Sequence, residues 1–323
     1  MSGNEVISVV GATGAQGGAV ARALLADGGH RVRAITRNAS SPKARELADL
    51  GAEVVEAHLE DEASLRRAFD GAYGAFLVTP FWEHLSAAKE LAEVRNLIAA
   101  ATAARLRHVV WSTLEDTREV VPASDDRMPT LDEVYKVPHF DVKGGEADAL
   151  FAESGLPTTY IRVSFYWDNL LDTQKPQRDA DGTLALHLPV GDTPIAGIAV
   201  EDIGQIVLGV FRQPEKTIGA VLGLAGEHLT GEQIAAALST ALGEPVAYRP
   251  PTHDQVRGLG FPGAVEIGNM FQYYAEFPES YLGLRDVDVA RSIHPGWTSL
   301  ADFLARHRDQ IRDDLGGERS ERT

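Results

Sequence analysis

The chain has 323 residues, 47 of them Asp or Glu against 30 Lys or Arg, a formal net charge of −17, and no cysteine. That length buries a core without staples and fits two modest domains or one large one with an appendage. Without cysteine there is no disulfide scaffold, no Cys-based zinc site and no Cys nucleophile, and the acidic balance argues against nucleic acid or an anionic membrane surface as partner. Residues 6–10 are too short an apolar run for a signal-peptide core or a membrane span, and no basic region precedes them, so a cytoplasmic chain is expected.

In chain order the pattern predicts strand 6–10, helix 17–27, strand 31–36, helix 44–50, strand 53–56, helix 62–69, strand 75–78, one long helix 84–104, strand 108–111, helix 140–154 and strand 158–162. Nearly all-apolar strands joined by helices require a parallel sheet covered on both faces. With right-handed crossovers the expected fold class is α/β, a Rossmann-type doubly wound parallel sheet. Residues 115–137, rich in Asp, Pro and charge, exceed a routine connection and read equally as a solvated insertion or an active-site flap. After Arg162 the alternation loosens around Gly182, Pro189, Gly191, Pro194 and Gly197, with helices over 200–211 and 230–242. The expected organisation is a dinucleotide-binding domain over 1–162 and a smaller C-terminal α+β substrate or partner region over 163–312, with elements returning to the main sheet. Residues 313–323 read as a frayed polar tail.

The segment Gly11-Ala12-Thr13-Gly14-Ala15-Gln16-Gly17 lies between the first strand and the first helix. Gly11 permits a tight turn, Gly14 lets backbone approach a pyrophosphate, and Gly17 lets helix pack on strand. The helix-opening amides then face the phosphates with the positive end of the helix dipole. No Gly-Lys-Ser/Thr ending follows, which disfavours a nucleotide-hydrolysing P-loop. At the end of the second strand an NAD site wants a carboxylate for the ribose 2′-hydroxyl. This chain has Thr36-Arg37-Asn38, with Ser41 and Lys43 close behind, so NADP(H) is expected over NAD(H), Arg37 pairing with the 2′-phosphate.

The glycine loop, Thr36-Arg37-Asn38 and Pro138-His139-Phe140-Asp141-Val142-Lys143-Gly144 together resemble the NmrA-like family of atypical short-chain dehydrogenase/reductases. Residues 163–171, 188–192 and 260–264 extend the likeness over nearly the whole chain, nearest to the NADPH-sensor type. The resemblance implies that His58 and Leu59, after the third strand, and Thr79, Pro80 and Phe81, after the fourth, lie by the adenine. It also implies that Lys143 bonds the nicotinamide ribose and that Phe165, Tyr166, Trp167 and Asp168 line the nicotinamide end. His58 departs from the acidic residue usual at its position.

The wider superfamily uses Tyr-x-x-x-Lys on one helix face, the lysine lowering the tyrosine pKa for proton transfer. Here the pair reads His139-x-x-x-Lys143, while Ser112-Thr113 fall where the superfamily keeps its serine. Two readings stay open. In one, His139 replaces tyrosine as proton donor; in the other it is a first-turn residue after Pro138, and Lys143 serves only the cofactor. Tyr135 and Tyr166 are further candidate donors. His84, His108, His187, His228, His253, His294 and His307 lack metal-ligand spacing and read as surface or capping residues, so no metal is expected. The aromatic group Phe271, Tyr273, Tyr274, Phe277 and Tyr281 reads as core that also walls a substrate cleft.

The missing tyrosine beside a complete cofactor site favours an NADP(H)-responsive regulator that binds a protein partner. The alternative is an NADPH-dependent reductase of a small carbonyl or quinone-like substrate. A homodimer is compatible with either.

Overall fold

A computed structural model describes residues 5–320. Its centre is β1 (Val6–Val9), flanked by β2 (Arg31–Thr36) and β4 (Gly74–Leu77). With β3 (Glu53–Glu56), β5 (His108–Thr113), β6 (Thr158–Arg162) and the strand Val221–Gly223, these form one seven-stranded parallel sheet. Its order is Val221–Gly223, β6, β5, β4, β1, β2, β3, so chain progression reverses between β1 and β4. In such a Rossmann-type sheet the ligand crevice opens at that switch, beyond the strand C-termini.

Side-chain alternation divides the apolar residues between two faces. Ile7, Val9, Phe76, Val110 and Ile161 join Val20 and Leu24 of α1 (Ala15–Asp27) and Ile203 and Val207 of the helix Val200–Arg212. Val6, Ala75, Leu77, Val109 and Trp111 meet Leu65 and Phe69 of α3 (Glu62–Phe69), which follows α2 (Pro42–Asp49) in the chain. His108, fully buried in β5, belongs to this interior rather than to the surface, and its ring bonds Thr159 at 2.9 Å. Burial lowers its pKa to about 4.

The long helix expected over 84–104 is two helices, α4 (Phe81–His84) and α5 (Ala87–Ala103). Leu85 turns left-handed between them (φ 52°), and the Ser86 side chain accepts from Lys89 N to start α5. A local cap thus overrides a continuous apolar pattern. The helix expected over 140–154 begins earlier, as Pro138–Asp141, and passes through a π-helical turn Val142–Ala147 into Asp148–Ser154. Gly144 in that turn lies against the insertion, where an added Cβ would fall 2.3 Å from the Glu115 carbonyl carbon. Only glycine permits this approach, and it fixes the turn carrying Lys143.

The insertion over 115–137 is tied down at several points. Asp141 accepts from Thr117 N and Oγ1 at one oxygen and from Lys136 N and Val137 N at the other, at 2.6–3.0 Å. Glu115 meets Arg285 in a bidentate pair at 2.8 and 2.7 Å, and Arg285 also donates to Val163 O at 2.9 Å. These bonds join the insertion, the end of β6 and the C-terminal region. The last helix, Leu300–Ser320, continues past Asp313 where a frayed tail was expected. Its apolar stripe continues through Leu304, Ile311 and Leu315, all buried. Residues 321–323 of that expected tail lie outside the described residues.

Candidate cofactor and active-site cleft

A cleft of about 850 Å³ opens at the switch point, lined by Gly11, Thr13, Gly14, Ala15, Gln16 and Gly17 of the glycine loop. An added Cβ on Gly17 would lie 2.3 Å from Gly11 O, so the helix can meet the strand end only as glycine. Gly14 N-caps α1 without a side-chain cap, and the first turn holds no acidic residue. Its amides therefore remain available to an anion, the arrangement a pyrophosphate requires. Ala12 is fully buried, its N–H donating to Ile35 O at 3.1 Å, so it supports the loop from behind.

At one end Arg37 lines the cleft but is held by Glu83 of α4 through two bonds, Nη2 to Oε1 at 2.9 Å and a shorter Nη1–Oε2 contact. Leu59, Thr79, Pro80 and Phe81 also line the cleft. Ser41, Lys43 and His58, also expected there, are not among the lining residues. Ser41 caps α2 by accepting from Ala44 N at 3.2 Å, Lys43 is exposed on that helix, and His58 is exposed with its N–H on Ser64 Oγ at 3.1 Å.

At the opposite end Ser112 Oγ donates to Gln16 Oε1 at 2.7 Å, and Gln16 Nε2 donates to Tyr166 OH at 2.7 Å. This chain ties β5, the glycine loop and the strand Phe165–Tyr166 together. Burial pushes the Tyr166 phenol above its ordinary range. Phe165 and Tyr166 face the cleft. Trp167 and Asp168 do not, because a 3₁₀ turn starts at Trp167. Trp167 is fully buried, and Asp168 accepts from Val200 N at 2.9 Å to open the next helix. Tyr135 also lies outside the lining, with the Arg118 guanidinium 5.2 Å over its ring.

Lys143 reaches the cleft floor. Its Nζ donates to Thr79 Oγ1, to Thr79 O at 3.3 Å and to Glu90 Oε1, and lies 5.2 Å from the Trp111 ring centroid. Glu90 is fully buried on α5 and had no place in the sequence reading. Its signal was available: Ala87, Val94, Leu97 and Ala101 form a buried apolar stripe that Glu90 and Glu93 interrupt. His84 is not a scattered surface residue either, since its Nε2 lies 3.4 Å from Glu90 Oε2 and 3.7 Å from Glu93 Oε2.

His139 stands in the wall. Glu266 Oε1 accepts from its backbone N and from its Nδ1, both at 2.7 Å. Nδ1 therefore carries hydrogen, and Nε2 is the ring nitrogen that Glu266 leaves free. The ring packs 4.6 Å from Trp82 and 5.9 Å from Phe81, with Ile267, Met270, Phe271 and Tyr274 extending the apolar wall. Glu266 comes from the helix Ala264–Glu276, 127 residues along the chain, and no local signal points to it. Tyr273 and Tyr281 pack instead around Arg285 in the core.

Among the described residues no helix is long and apolar enough to cross a membrane. The chain is 31% identical to an NmrA-like family domain-containing oxidoreductase, cpsB, of Aspergillus campestris, covering 83% of this chain and 82% of that one. It is 29% identical to an NAD(P)H azoreductase of Xenophilus azovorans over 94% and 98% of the two chains. Its fold matches the crystal structure of NmrA, a negative transcriptional regulator, with a TM-score of 0.80 at 24% identity over 97% and 98% of the chains. NmrA has also been solved with NADP and with NAD. The model of the NmrA-like family matches residues 3–304, and the chain belongs to that family.

Proposed function

We propose that this protein is an NADPH-dependent reductase of a planar, conjugated acceptor of the quinone type. The observation that carries the reading is the His139–Glu266 pair set in an aromatic wall of the cleft. The residues present fit the cofactor: an uncapped helix N-terminus for the pyrophosphate, Arg37 for the 2′-phosphate and Lys143 for the nicotinamide ribose. Bound NADPH supplies the hydride.

The chain's own residues supply orientation and a proton. Phe81, Trp82, Phe165 and Tyr274 offer flat apolar surface against which a conjugated ring stacks. His139 in its imidazolium form holds one proton on Nδ1 toward Glu266 and donates the other from Nε2. The acceptor gains a hydride and this proton, NADPH becomes NADP⁺, and His139 recovers its proton from solvent. Glu266 keeps the ring in one tautomer throughout and stabilises the charged form. The azoreductase among the relatives supports reduction of a conjugated acceptor.

NADP(H) preference rests on Arg37, with Glu83 as internal competitor for the same guanidinium. That pair also favours a second reading, a cofactor-responsive regulator. It spans from β2 to α4 over the cleft, and a 2′-phosphate has to break it, which alters the surface around exposed Trp82.

NADPH oxidation assayed with quinones, azo dyes and simple carbonyls separates the two. The reductase reading expects turnover of about 1 s⁻¹ or more with a quinone or azo acceptor, the lower end of ordinary enzymes. Tight NADPH binding with no acceptor reduced contradicts it and leaves the regulator.

A further inference from the structure

Three buried polar atoms beneath the cleft, His84 Nε2, Glu90 Oε2 and Glu93 Oε2, have no hydrogen-bond partner and converge within 4.8 Å of one another. A metal ion does not suit this group. His84 Nδ1 accepts from Ser86 N at 3.1 Å, so its lone pair is engaged and the ring hydrogen sits on Nε2. Nε2 therefore presents N–H, not a ligand lone pair, to the two carboxyl groups. For the same reason His84 cannot become doubly protonated without losing the Ser86 bond, and burial holds its pKa below the ordinary value.

The charge facing this pair from the cleft side is Lys143, bound to Glu90 Oε1 and to Thr79. From α4 come the neutral His84 and, beyond it, Glu83 paired with Arg37. The outer side carries Lys89 paired with Glu60, and Asp148 lies on the helix that follows Lys143. Burial, then the neighbouring Glu90, pushes the Glu93 carboxyl up to about 7. With Lys143 in place one negative charge is compensated. Without it, two carboxylates would share a site closed to water, and such a pair cannot remain doubly ionised.

We propose that Glu90 and Glu93 are a proton-binding site linked to the cofactor: when Lys143 leaves Glu90 for the bound NADP(H), one solvent proton takes the place of its ammonium. The proposal rests on the reading above that Lys143 contacts the cofactor. The proton comes from bulk water and settles on the carboxyl pair. Cofactor affinity then weakens as pH rises above about 7, because the free protein's pair has lost a proton that the bound state must regain.

Isothermal titration of NADPH at about pH 8, in phosphate and in Tris, reads the protons exchanged from the dependence of heat on buffer ionisation. The 2′-phosphate, with a second pKa of about 6, is already fully ionised there. The wild-type protein is expected to take up between about half and one proton per NADPH, with Kd rising by up to about tenfold per pH unit above neutrality. Glu93→Gln keeps the shape of the site and is expected to abolish both the uptake and the pH slope. Wild-type NADPH binding without proton uptake, or the same uptake in Glu93→Gln, overturns the proposal and leaves the cofactor reading intact. Failure of the wild-type protein to bind NADPH overturns that reading and the proposal together. The wild-type pH series decides the matter even where the variant does not fold.

Discussion

Two buried cations, Arg285 in the core and Lys143 at the cleft floor, are satisfied in opposite ways. Arg285 forms a fork on Glu115, and its remaining donors meet Val163 O and Tyr281 O, while Tyr273 OH donates to Glu115 as well. Lys143 has an equally buried carboxylate partner, yet the far oxygen of that partner and the atoms that face it, His84 Nε2 and Glu93 Oε2, are left without hydrogen bonds. A fully satisfied pair specifies one geometry; a partly satisfied one remains available for exchange. Arg285 thus reads as a clamp holding the insertion and C-terminal region to β6, and Lys143 as a group that moves during function.

The largest expected effect breaks the clamp. Arg285→Met leaves Glu115 buried without its cation and should cost about 3–5 kcal/mol in urea unfolding. Next comes the cleft wall: Glu266→Gln removes the charge that stabilises the His139 imidazolium and should lower kcat by roughly tenfold or more, with NADPH affinity unchanged. At the cofactor end Arg37→Ala should weaken NADPH by about tenfold or more and NADH little, because a guanidinium–phosphate pair is lost. Glu83→Gln should act oppositely, tightening NADPH by a few-fold, as read by fluorescence titration.

A further effect concerns pH. Glu93 in the folded protein titrates at about 7, against an ordinary value of 4.5. The folded state therefore binds the proton more tightly, and the stability this contributes is present below about pH 4 and lost as pH rises through 7. Glu93→Gln should gain on the wild-type protein between pH 5 and 8, by an amount on the order of 1–2 kcal/mol. Asp148, raised by burial to about 7, contributes in the same direction, so Asp148→Asn should flatten the same window.

The same contrast explains what could be read from the chain. The glycine loop, its strand and its helix are contiguous, and their signals are local: spacing, apolar run, open helix start. His139 and Lys143 were visible as a pair, but their partners were not. Glu266 approaches His139 from 127 residues away and Arg285 meets Glu115 across 170, pairings that no window of sequence contains. The split of the long helix at Leu85 hid in a single Ser cap, and with it the placement of His84 and Glu83. Trp167 and Asp168 were assigned to the cleft by resemblance, yet the strand ends at Tyr166 and the following turn carries both side chains away.

If His139 donates the proton accompanying hydride transfer, loss of its imidazole slows reduction and spares cofactor binding. Steady-state reduction of a quinone by NADPH, compared between the wild-type protein and His139→Phe, tests it most directly. In the variant kcat should fall by about a hundredfold or more while NADPH binds as before. An unchanged kcat in His139→Phe would contradict it.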